Sequence, residues 1–136
     1  MTKKNWRVSE SEIKFIKKAI KDKLTGKYLV KFESELAKKF KTNYAIAVNS
    51  GTSALHTALY ALGIRAGDEV IVPPLTFSAT AFAVMYLGAK PVFADVDIET
   101  FNICPKSIEK KINKKTKAII TVSIFGLIPD MNEILK

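Results

Sequence analysis

Hydrophobic positions along this chain follow two different rhythms. In the first forty residues they recur at helical spacing: Ile13, Ile16 and Ile20, then Phe32, Leu36 and Phe40, with Lys and Glu between them. Ser9 followed by Glu12 fits a capping box, which predicts a first helix to about Lys23. Thr25-Gly26 breaks it, and a second helix follows; both read as surface helices with one buried stripe.

From Tyr44 the apolar residues come in short continuous runs. Tyr44–Val48, Glu69–Val72, Pro91–Val96 and Lys117–Phe125 read as four strands. Helices are expected over Thr52–Leu62, Ser78–Leu87 and Pro105–Ile112, with a last one capped by Asp130. Gly63, the Ala66-Gly67-Asp68 turn, Pro73-Pro74 and Gly88 punctuate them. Strands that are apolar throughout and alternate with helices predict an α/β fold: a mostly parallel sheet with helices on both faces. The division this suggests is an N-terminal helical segment, residues 1–43, and a partial α/β domain, residues 44–136.

Composition changes this picture little. The chain has 136 residues, 48% hydrophobic and 26% charged, as globular domains do. Its net charge of +9 is concentrated: residues 1–41 hold 13 Lys/Arg against 5 Asp/Glu. No aromatic residues alternate with those lysines as a single-strand binder needs, so they read as a solvated face, with no nucleic acid expected as partner. A nucleic-acid binder stays open as a reading of that basic segment alone. No signal peptide is visible, and the longest apolar run, Ala79 to Ala89, is too short to span a bilayer. The single cysteine, Cys104, excludes an internal disulfide. No membrane association and a cytoplasmic location are the expectations.

Ligands of open α/β sheets bind at the carboxyl ends of the strands, and two loops there are chemically suggestive. Asn49-Ser50-Gly51-Thr52-Ser53 runs from an apolar segment straight into a helix. Gly51 permits close backbone approach, and the Thr52 and Ser53 hydroxyls stand beside unsatisfied helix-start N–H groups, a seat for phosphate. Spacing alone also allows an ordinary strand-to-helix crossover with a Ser/Thr cap. In Pro73-Pro74-Leu75-Thr76-Phe77-Ser78, Phe77 at the helix start is either a stacking face for a flat heteroaromatic ligand or core packing beneath the loop. His56, the only histidine, reads as a packed helix residue, and Asp95 and Asp97 as a strand-end turn. No Cys/His cluster offers a metal site. Ser123 has no histidine to activate it.

Ala47 through Leu55 (AVNSGTSAL), Gly67 through Pro73 (GDEVIVP) and Thr76 through Thr80 (TFSAT) resemble the DegT/DnrJ/EryC1/StrS family of sugar aminotransferases. Gly88 through Asp97 (GAKPVFADVD), Lys117-Ala118-Ile119-Ile120 and Phe125-Gly126 continue the match in order. The resemblance implies the N-terminal part of the large domain of a fold-type-I pyridoxal-phosphate (PLP) transferase. On matching positions, Gly51, Thr52 and Ser53 would bind the cofactor phosphate and Phe77 would stack on its pyridine ring. It also implies amino transfer, from glutamate, to a nucleotide-linked keto-sugar in cell-surface polysaccharide or glycan synthesis, by a homodimer. Two departures accompany it. The family's Schiff-base lysine and pyridine-nitrogen carboxylate are expected beyond Lys136, so no catalytic residue is assigned and the chain reads as a truncated, incomplete enzyme. Ser123 also stands where many members have histidine. A dehydratase of the same family and a non-catalytic remnant remain alternatives.

Overall fold

A computed structural model describes residues 8–23 and 26–136. Met1–Arg7, and Thr25 of the expected helix break, lie outside the described residues. The chain divides into two compact units after Ala47.

The first unit holds α1 (Glu10–Lys21) and α2 (Lys27–Phe40). Local chemistry accounts for the start of α1. The Ser9 side chain accepts from the Ser11 N–H at 3.3 Å, and Glu12 accepts from the Ser9 N–H at 2.7 Å, which closes the capping box. Asp22 ends the helix and pairs with Lys27 at 2.7 Å. The apolar stripes are not buried as the periodicity suggests. Ile13, Ile16, Ile20, Phe32 and Phe40 are exposed, and only Ala37 of α2 is buried. Amphipathic spacing sets which residues share a face, but burial needs a second layer against that face.

The segment expected to form the first strand also departs. Residues 44–48 form no strand, and Tyr44 and Ile46 are exposed. An apolar run becomes a strand only where another strand completes its ladder. Among the described residues it has none; the Ala47 N–H is satisfied by the Glu33 carboxylate of α2 at 2.8 Å.

The second unit runs α3 (Gly51–Ala61), β1 (Glu69–Val72), α4 (Ala79–Met85), β2 (Lys90–Phe93), α5 (Pro105–Glu109), β3 (Thr116–Ile119), a 3₁₀ turn (Ile124–Gly126) and α6 (Met131–Ile134). The sheet therefore has three strands where four were expected. They are all parallel, in the order β2-β1-β3. Ile71 aligns with Val92 on one side and Ile119 on the other. β1 is central, and its Val70, Ile71 and Val72 are fully buried. Pro91 is tolerated because β2 is an edge strand, where a missing N–H breaks no ladder on the outer side.

Alternation along β1 sends its side chains to opposite faces. Val70 and Val72 pack with Leu59 and Ile64 on one side of the sheet, together with Ala83 and Val84 of α4. Ile71 packs with Ala94, Ile103 and Ile108 of the α5 side, with Ile134 of α6 against them. Helices thus cover both faces, as expected of a parallel sheet. Each fully buried Val or Ile contributes roughly 1.5–3 kcal/mol by leaving water.

Two left-handed glycines turn the chain between helices and strands. Gly88, after α4, has φ +70°, and a Cβ built there would lie 3.1 Å from the Ala66 Cβ in the loop after α3. The carboxyl ends of α3 and α4 therefore meet at one edge of the sheet. Gly67, at φ +93°, turns the chain into β1.

Candidate functional site

Because β1 and α4 are consecutive, and α3 packs along α4 with the loop after α3 meeting the turn after α4 at Ala66 and Gly88, both helices run back against β1. Their N-termini lie at its carboxyl end. The loop after β3 leaves the same edge: the Ile120 N–H donates to the Ile71 carbonyl at 2.8 Å, directly beyond the last register pair.

α3 starts at Gly51, one residue before the expected Thr52. Ser50 is its N-cap, with its Oγ accepting from the Ser53 N–H at 3.1 Å. The Ala54 N–H takes the Ser50 carbonyl at 3.0 Å, which begins the helical ladder. The N–H groups of Gly51 and Thr52, which precede it, have no carbonyl within the helix to bond. No acidic side chain stands in the first turn to neutralise the positive end of the helix dipole. A Cβ built on Gly51 would meet nothing within 4 Å, so there is room on the side-chain side of this residue. Gly51 is not in the left-handed region, and no backbone strain calls for glycine there.

The Thr52 side chain is half-buried. Ser53 is less free than its position suggests. Its hydroxyl donates to Asn49 Oδ1 at 2.6 Å and lies 3.0 Å from Ser50 Oγ. Asn49 and Ser50 thus shape the loop, a part the residue pattern alone did not reveal; the Ser50 cap was detectable as Ser at the residue before a helix.

Phe77 precedes α4 by two residues, outside the helix, and is 79% exposed. The ring is therefore not packed into the core of this unit, and it lies at the carboxyl end of β1. Beneath it, Thr76 and Thr80 pair through their hydroxyls at 3.1 Å, with Thr80 buried.

The remaining candidates fall into structural roles. His56 is half-buried and meets Tyr86 edge-on at 6.0 Å. Asp97 ties a turn, accepting from the Thr100 N–H at 2.9 Å, the Thr100 hydroxyl at 3.0 Å and the Glu99 N–H at 3.1 Å. The Thr100 N–H, then its hydroxyl, then the Glu99 N–H hold its carboxyl below the ordinary Asp value. Asp95 does not join it: its N–H donates to Ser107 Oγ at 2.8 Å, and its side chain is not part of the turn. Ser123 is exposed after β3. Among the described residues no group of His, Cys, Asp and Glu is arranged to hold a metal, and no helix is long and apolar enough to cross a membrane.

An open N–H pair at a helix start, a hydroxyl beside it and an exposed aromatic face at the same sheet edge can hold a phosphorylated, flat heteroaromatic molecule.

The chain is similar to known proteins. GDP-perosamine synthase of Escherichia coli O157:H7 is 49% identical over 111 residues, 82% of this chain and 30% of that protein. UDP-2-acetamido-2-deoxy-3-oxo-D-glucuronate aminotransferase of Pseudomonas aeruginosa is 42% identical over 111 residues, 82% of this chain and 31% of that protein. The structure of NtdA from Bacillus subtilis with bound cofactor PMP superposes with a TM-score of 0.85 at 38% identity, over 93% of this chain and 31% of that one. The chain thus spans about a third of the length of these relatives. A parallel sheet flanked by helices is the fold it shares with them. The family model of the DegT/DnrJ/EryC1/StrS aminotransferases matches residues 7–136, and the chain belongs to that family.

Proposed function

We propose that this chain is the cofactor-seating part of a PLP-dependent aminotransferase that transfers an amino group, with glutamate as donor, to a nucleotide-linked keto-sugar. In this reading residues 1–43 are an N-terminal helical segment, and residues 44–136 form part of the cofactor-binding domain. The complete enzyme works in the cytoplasm as a homodimer, making sugars for polysaccharide synthesis. The observation that carries it is the start of α3, where the Gly51 and Thr52 N–H groups have no carbonyl partner within the helix and the half-buried Thr52 stands beside them.

When bound, PLP supplies the electron sink that amino transfer requires. The Gly51 and Thr52 N–H groups and the Thr52 hydroxyl hold the phosphate. Ser53 contributes by fixing the loop through Asn49, and its hydroxyl reaches an anion only after leaving that partner. Phe77 lays its ring against the flat face of the cofactor and excludes water from that side. The imine-forming lysine and the carboxylate partner of the pyridine nitrogen are not among these residues.

The test is cofactor affinity in Thr52→Ala and in Thr52→Ala/Ser53→Ala, read by fluorescence titration with PLP. A charge-assisted hydrogen bond contributes roughly 1.5–3 kcal/mol, so Thr52→Ala weakens binding about tenfold or more. Unchanged affinity in the double variant removes the phosphate seat from this loop.

A further inference from the structure

Among the described residues two polar side chains are buried, and Asn102, 5% exposed, is the one whose partners lie far away in sequence. Its Nδ2 donates to the Leu127 carbonyl at 3.2 Å, and its Oδ1 accepts at 3.3 Å from the Ile124 N–H, which also donates to the Val122 carbonyl at 2.9 Å. The amide therefore grips both ends of the 3₁₀ turn that follows β3. The turn needs gripping. Phe125 sits in the left-handed region at φ +51°, followed by Gly126 at +87°. A bulky residue persists there only where its surroundings over-determine it.

Asn102 is itself anchored. Its carbonyl accepts from the Asp97 N–H at 2.9 Å, within the turn that the Asp97 carboxylate organises. The neighbouring Phe101, also left-handed at φ +59°, meets Phe125 edge-on with ring centroids 6.2 Å apart. Phe125 is otherwise 86% exposed. Its loop leaves β3 at the edge where the Phe77 loop leaves β1, and these two strands are neighbours.

We propose that Asn102 is a positioning residue, which clamps the 123–127 loop so that the loop and its Phe125 ring border the ligand-binding edge of the sheet. This rests on the cofactor reading above, but it has a readout independent of it. Without the amide, the turn loses both of its side-chain anchors and the left-handed Phe125 is free to relax.

The experiment uses the 136-residue chain with Asn102→Ala and Asn102→Asp. Amide hydrogen exchange is followed at residues 123–127 and at Val70–Val72, and induced circular dichroism of added PLP is recorded. Asn102→Ala removes the bond to the Leu127 carbonyl and the longer of the two bonds of the Ile124 N–H, so exchange across the loop should rise several-fold while β1 stays protected. PLP affinity should fall several-fold and the induced signal should change shape. Asn102→Asp keeps an acceptor for the Ile124 N–H and loses the donor to Leu127; it should fall between, and it carries the test if the alanine variant does not fold. Exchange that rises equally in β1, or does not rise in the loop, overturns the clamp. A loosened loop with unchanged PLP affinity and dichroism overturns its bearing on the ligand. Loop exchange decides whether Asn102 is a clamp whether or not the unsubstituted chain binds PLP, so failure of the clamp and failure of the cofactor reading are read separately.

Discussion

Replacing Gly51 with alanine separates a ligand role from a structural one. A Cβ at this position would meet no atom within 4 Å, and Gly51 is not among the positive-φ residues, so the folded chain has room for a methyl group. Alanine is the better helix former, by up to about 1 kcal/mol in a helix interior and less at the first position. Stability should therefore stay level or rise by a few tenths of a kcal/mol. Binding should behave in the opposite sense. Cα–Cβ bonds tilt toward the helix N-terminus, so the new methyl leans into the space before the Gly51 and Thr52 N–H groups. If a phosphate sits there, it loses at least one charge-assisted hydrogen bond, about 1.5–3 kcal/mol, or roughly ten- to a hundredfold in affinity. Urea unfolding followed by circular dichroism reads the first effect, and fluorescence titration with PLP the second. A lower urea midpoint would show that Gly51 serves the fold, and unchanged affinity would show that no phosphate approaches it; either refutes the reasoning.

Phe77→Leu should leave stability within about 0.5 kcal/mol, because the ring is exposed, while weakening PLP binding; loss of the fold on this change would show that the ring is core. Ile71→Ala, at the centre of the sheet and fully buried against Ala94, Ile103 and Ile108, should cost about 2–5 kcal/mol in urea unfolding. The Asp97 carboxyl is depressed in the folded state by the Thr100 and Glu99 donors, so its contribution is present above the ordinary Asp value of about 3.9 and is lost as pH falls through the lower folded value. Asp97→Asn should therefore destabilise most near neutrality, and the difference between the two proteins should shrink in unfolding measurements as pH falls below the ordinary Asp value.

Features decided within a few residues could be read from the sequence alone. The capping box of α1 depends on Ser9 and Glu12, one turn apart, and the structure forms it where the pattern predicts. The turn at Gly67 and the Asp130 cap of α6 are local in the same sense, and the start of α3 falls within one residue of its expected place. The parallel sheet with two covered faces was also readable, because a strand apolar at every position has no face left for water.

Tertiary structure decided what depends on a partner distant in the chain. Residues 44–48 carry the pattern of a strand as plainly as β1 does, but a ladder needs a neighbour and pattern does not say whether one arrives. The stripes of α1 and α2 have the right spacing and stay exposed for the same reason. Phe77 could have been core or ledge; its exposure depends on what packs over a loop, which no periodicity records. Asn102 shows the separation most clearly. Its type and neighbours in sequence say nothing of Ile124 and Leu127, more than twenty residues on, and only the crossover from β2 to β3 brings their backbone within reach of its amide. Hydrogen bonds and burial act at contact range, so residues near in sequence announce them, and residues far apart do so only after the chain has folded.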